Sequence, residues 1–203
     1  MLEETIRNIF NNVWPMIVIF SIILISIRIT QVIINKEEFV LHREIISLGF
    51  IIYLLCLFHV VIFQDVSWST SNFIPFKEMF RYEIGSPLFF KNVIGNMLMF
   101  MPYGFFISFY INLRKDDIAF LLALIASSII ECIQLLIGRV FDIDDIILNV
   151  IGGMIGFYIY DLLCKIKEKL PKFLKNNIFY DIVVIILVGI LIYYLMYILR
   201  IGG

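Results

Sequence analysis

Charge is what this chain has least of. Only 16% of its 203 residues are Asp, Glu, Lys or Arg and 62% are hydrophobic, whereas a soluble domain carries roughly 25% charged and 45–50% apolar residues. That balance excludes a soluble globular protein. The net charge of −1 offers no overall field for nucleic acid. Cysteine is scarce too. Cys56, Cys132 and Cys164 have no second cysteine at short spacing, which removes a disulfide framework or a cysteine metal pair and leaves them as expected buried, small apolar residues. Glu3 and Glu4 stand where a signal peptide has its basic region, and no small-residue cleavage site follows the first apolar run, so that run is expected to stay as a helix. No G-x-S-x-G, H-E-x-x-H or paired-histidine pattern occurs, and no inverted repeat of the kind many transporters carry.

What is present is apolar sequence in long runs. Six stretches reach the roughly 20 helical residues that cross a hydrocarbon core: Trp14 to Ile34, Ile45 to Phe63, Val93 to Asn112, Ile118 to Ile137, Ile146 to Leu163 and Ile178 to Leu199. The fold class is therefore all-α, a polytopic bundle of six membrane spans forming one membrane domain over residues 1–203. Ten basic residues, five of them the lysines Lys165, Lys167, Lys169, Lys172 and Lys175, fall on one side and six on the other. By the positive-inside rule the lysine-rich side is cytoplasmic. Both termini and the loop holding Arg139 are then expected outside.

The connection from Gln64 to Asn92 is the one long one, and it is rich in aromatics, Trp68 and Phe73 among them. Phe76, Met79, Phe80 and Glu83 recur at helical spacing with Lys77, Glu78 and Arg81 between them, which predicts a short amphipathic helix at the interface. Ser71 or Asn72 and then Pro75 read as its start. In the third span Pro102 is expected to kink the helix, and Asn92 and Asn96, one turn apart, present two amides to one side.

Polar residues concentrate in one run, Glu131 to Gly156. Carboxylates at membrane depth cost a few kcal/mol each and mark sites by default. Glu131 and Gln134 share a face of the fourth span, and Arg139, just past its end, is the expected ion-pair partner of Glu131. The fifth span opens on Asp142, Asp144 and Asp145; Asp145 and Asn149 lie along its inner face, while Asp144 reads as a surface cap. Gly152 and Gly156, with Gly153 beside them, predict close approach of the third span through Gly95 or Gly104. The candidate ligand-binding set is thus Asn92, Asn96, Glu131, Gln134, Arg139, Asp142, Asp145 and Asn149. Clustered acids suit a hard cation, but Asp144 points away and Arg139 competes, so neither metal nor cofactor is assigned.

These residues resemble the VanZ-like family of bacterial membrane proteins. Asn72 to Phe76 (NFIPF) looks like the family's motif ahead of its third helix. Asn92 to Gly104 (NVIGNMLMFMPYG) looks like its N-x-x-x-N-x-x-x-F-x-P-x-G helix, and Glu131 to Gly156 its E-x-x-Q followed by R-x-x-D-x-x-D-x-x-x-N-x-x-G. The resemblance spans about residues 50–160 and leaves out the last helix, 178–199, read as packing and anchoring. It implies a multi-pass protein of the bacterial cytoplasmic membrane and, from the founding member, low-level resistance to teicoplanin-type lipoglycopeptides or a related envelope role. Expected partners are the lipid bilayer and a lipoglycopeptide or lipid-linked envelope precursor, bound at an outer-leaflet polar pocket. An intramembrane hydrolase or transferase is the alternative, with Glu131, Asp142, Asp145 and His59 as acid–base candidates. No nucleophile is evident, and the residues leave turnover open.

Overall fold

The computed structural model describes residues 2–36, 38–63 and 71–200, with side chains for 7–36, 38–62 and 71–197. Trp68 and the side chains of Glu3 and Glu4 lie outside the described residues. Six helices are long and apolar enough to cross a membrane. They are α1 (Leu2–Asn35), α2 (Leu41–Phe63), α3 (Pro87–Ile111), α4 (Asp116–Leu136), α5 (Ile143–Lys169) and α6 (Asn177–Arg200). Among the described residues there is no strand, only one isolated parallel bridge between Asn72 and Asp142.

The chain forms two compact units. Residues 1–60 and 169–203 make the first. Within it, Arg28 of α1 grips Glu44 of α2 through two nitrogens at 2.8–3.0 Å, which compensates a guanidinium inside a span. Asp181 of α6 accepts both the backbone N–H of His42 at the start of α2 and a contact from its Nδ1, each at 2.8 Å. One carboxylate thus holds an orphan donor of a helix N-terminus and ties α6 to α2.

Residues 61–168 make the second unit, and α5 is its axis. No described apolar window of α1, α2 or α6 is buried, whereas 44% of the window in α5 is. Small residues explain how. A Cβ on Gly152 or Gly156 would collide with the carbonyl oxygens of Met97 or Met101, and one on Gly104 with that of Gly153. Backbone therefore meets backbone along α3 and α5, as small-xxx-small spacing allows. The predicted approach is observed through Gly104 and not Gly95, which meets only its own helix. Phe100, Ala123 and Val150, one from each helix, close the core beside this seam, and Leu113, Ala119 and Phe157 form a second layer.

Two local features aim the polar residues. Gly138, at φ +84°, ends α4 with its N–H on the Leu135 carbonyl (3.1 Å) while the Arg139 N–H reaches that of Gln134 (2.9 Å). This paired capping geometry needs a left-handed residue, which glycine supplies without strain, and it turns Arg139 back toward the helix end. At the start of α3, Phe90–Ile94 is a π-helical turn, closed by the Gly95 N–H on the Phe90 carbonyl. A π turn takes an extra residue, so the register of α3 shifts by one residue across it.

The connecting segment departs from the expected amphipathic helix. Residues 75–78 form a turn and only Met79–Arg81 a short 3₁₀ helix. Phe76 sits at φ +67°, a left-handed conformation that breaks any right-handed helix through it. Cys132 is the second departure. It is exposed, Cys56 and Cys164 are only partly buried, and all three are free thiols.

Candidate functional site

The acids of α5 are organised by its N-terminus. Asp142 precedes the helix and its Oδ1 accepts the Asp144 N–H at 2.9 Å, the geometry of an N-cap. The same oxygen accepts the Asn72 amide at 2.9 Å. Asn72, itself buried, also pairs by backbone, donating its N–H to Phe141 O (2.8 Å) and accepting from Ile143 N (3.1 Å). The segment before α3 is thereby stapled across the start of α5.

Asp144 completes that staple. Its side chain is 1% exposed, and its carboxylate accepts three backbone N–H groups, from Phe76, Glu78 (2.7 Å) and Met79 (3.0 Å). The left-handed Phe76 turns successive amides inward, making an anion-binding concavity of the kind called a nest. The surface cap expected at Asp144 is thus corrected: this acid is buried because the chain itself supplies its counter-dipoles.

Glu131 is 2% exposed, and its Oε2 accepts the Asp142 N–H at 3.1 Å. The expected direct ion pair with Arg139 is not present among the described residues. Gln134 stands between them. With its amide nitrogen toward Glu131 Oε1 (2.9 Å), its oxygen accepts from Arg139 Nη1 (3.1 Å), the only orientation that satisfies both ends. Arg139 spends the same nitrogen on the Val61 carbonyl.

One turn deeper the three helices converge. Asn96 of α3 donates to Asp145 of α5, and Asn149 of α5 donates to Ser127 Oγ of α4 at 3.0 Å. Ser127 is fully buried. Asn96, Glu131, Gln134, Arg139, Asp142, Asp145 and Asn149 therefore lie in one unit. Asn92 belongs to the same unit and falls within the π turn. His59 lies in the other unit. Among the described residues no three His, Cys, Asp or Glu side chains are grouped to hold a metal ion.

Sequence reasoning missed Asn72, Ser127, Asp144 and Tyr82. Tyr82 is half-buried, and burial first, then the charge of Glu78, raises its phenol above the ordinary value, with Asp145 and Asp142 adding to the effect. Burial also raises the Asp142 carboxyl, against the opposing Asn72 and Asp144 bonds. A raised carboxyl favours folding below its unfolded value and loses that contribution as pH climbs through its folded value. As pH rises from below the ordinary aspartate range, the stability of the native chain is therefore expected to fall relative to Asp142→Asn. Paired thermal unfolding of the two proteins at each pH checks the sign.

The cluster is rich in carboxylate and amide oxygens, with its donors largely spent on the protein. It suits a ligand rich in N–H, O–H or positive charge. A family model described as VanZ/LLP1 matches residues 50–164. No curated protein and no solved structure matches the chain.

Proposed function

The chain belongs to the VanZ/LLP1 family, and from that premise we propose that it acts in the bacterial cell envelope, lowering susceptibility to teicoplanin-type lipoglycopeptides or handling a related acylated envelope molecule. The observation that carries this reading is the gathering of Asn96, Glu131, Asp142 and Asp145 where α3, α4 and α5 meet, inside the segment matched to the family. The lysine-rich loop after α5 supports an extracytoplasmic placement of that cluster. A polar head meets acceptors there, while an acyl tail stays in the surrounding lipid. Exposed Phe73, Phe76 and Phe80 on the neighbouring staple add apolar contact area.

The test is expression of the full chain in a susceptible Gram-positive host. The inhibitory concentration of teicoplanin is expected to rise several-fold, and that of vancomycin, which lacks the acyl tail, to stay near its control. Asp145→Asn and Glu131→Gln are expected to erase the rise at equal protein abundance in the membrane. An equal rise for both drugs overturns tail recognition. Unchanged resistance in both folded variants overturns any role of these acids, including acid–base catalysis.

A further inference from the structure

Every carboxylate of the cluster except one is well supplied with donors. Asp144 has three backbone N–H groups, Asp142 an amide and an N–H, and Glu131 an N–H and the Gln134 amide. Asp145 has Asn96 alone, although an ionised carboxylate offers about four acceptor sites. One turn along the same face, Asn149 is 7% exposed and its Oδ1 is buried with no hydrogen-bond partner. A buried carbonyl left unmade costs about 1–3 kcal/mol, and such an orphan calls for an explanation by an ion or water.

The orphan and the under-supplied acid are four residues apart, on one face of α5. Cα–Cβ bonds in a helix tilt toward the N-terminus, so the Asn149 side chain leans toward the turn that holds Asp145. Its nitrogen is fixed on Ser127 across the junction, which leaves the oxygen between α4 and α5. On α4 the same tilt brings Glu131 down toward Ser127, four residues before it. Oxygen atoms thus approach from both helices, and that of Asn149 has no donor. The nearby cation, Arg139, is engaged by Val61 and Gln134.

We propose that Asp145, the Asn149 side-chain oxygen and Ser127, with Glu131 above them, bind one small monovalent cation, of which sodium is the type. Full burial of Ser127 and near-full burial of Glu131 and Asn149 exclude a bulky organic ammonium at that depth. A singly charged ion fits amide and hydroxyl oxygens beside one or two carboxylates, and no trio of acidic or imidazole ligands of the divalent kind is placed among the described residues. The bound ion neutralises Asp145 and occupies the orphan oxygen at once. It binds the folded form alone and therefore stabilises it by mass action.

Thermal unfolding of the purified full chain in detergent, with sodium chloride replaced stepwise by N-methylglucamine chloride at fixed ionic strength, reads this directly. The midpoint is expected to rise by several degrees with sodium and to saturate. Asn149→Leu, which removes the orphan and keeps the volume, is expected to fold and to lose the sodium response, as is Ser127→Ala with a weaker response. Retention of radioactive sodium by native protein, absent in Asn149→Leu, is the second readout. A midpoint indifferent to sodium, a response that tracks pH alone, or sodium binding that persists in Asn149→Leu each overturns the proposal. None of these measurements involves a lipoglycopeptide, so they stand or fall apart from the resistance assay.

Discussion

Asp144→Ala is expected to be the most damaging single polar substitution in the chain. Alanine leaves three backbone N–H groups, those of Phe76, Glu78 and Met79, around a site that was 1% exposed. At about 1–3 kcal/mol for each stranded donor, and with partial rehydration of the turn, the loss is roughly 3–5 kcal/mol. That is a large fraction of the 5–15 kcal/mol that holds a folded domain. The left-handed Phe76 makes the loss steeper, because a strained backbone persists only where its surroundings over-determine it. Asp144→Asn keeps one acceptor oxygen but turns an amide N–H toward donors, so it is expected to fall between alanine and the native residue. Asp116→Ala is the control, since Asp116 lies exposed in the first turn of α4. Chemical unfolding in detergent gives the energies. Limited proteolysis supplies the location: cleavage within residues 71–86 is expected to accelerate in Asp144→Ala far ahead of cleavage elsewhere. Equal protease resistance in the two proteins would sink the view of Asp144 as the anchor of this segment.

That anchor also marks where sequence reasoning stops. The six spans are legible because long apolar runs have few alternatives in lipid, and the α3–α5 seam is legible because Gly152, Gly153 and Gly156 form a pattern that only close packing explains. The depth of Glu131 and the inner face of Asp145 and Asn149 follow from helical periodicity. Asp144 does not, because its partners are backbone amides, and any residue carries those. The π turn at the start of α3 is hidden for a related reason, since it is closed by main-chain atoms of Phe90 and Gly95. Gln134 shows a third limit: charge complementarity pairs Glu131 with Arg139, but an amide that can both donate and accept separates the two charges without leaving either buried and bare.

The glycine seam yields the second large effect, and one with a built-in opposite. Gly104→Ala, Gly152→Ala and Gly156→Ala each place a methyl group into a backbone carbonyl of the facing helix. Main chain cannot rotate aside as a side-chain tip does, so α3 and α5 must separate. Overpacking of this kind costs about 1–3 kcal/mol, and here the separation also opens the Phe100, Ala123 and Val150 core. Gly189 in α6 has nothing within 4 Å of where a Cβ would stand, and Gly189→Ala is expected to stabilise by roughly 0.5–1 kcal/mol through helix propensity alone. Opposite signs from one chemical change, read by thermal unfolding, distinguish packing from propensity. Gly104 and Gly153 approach each other directly, so Gly104→Ala combined with Gly153→Ala is expected to be non-additive, as contacting residues are. The seam also carries the site. Met97, which Gly152 touches, adjoins Asn96, and a shift of α3 away from α5 lengthens the Asn96 bond to Asp145. Gly152→Ala is therefore expected to weaken the sodium response of the native protein while Gly189→Ala leaves it intact, and an undiminished response in a folded Gly152→Ala protein would show that the helix spacing does not set the geometry of Asp145.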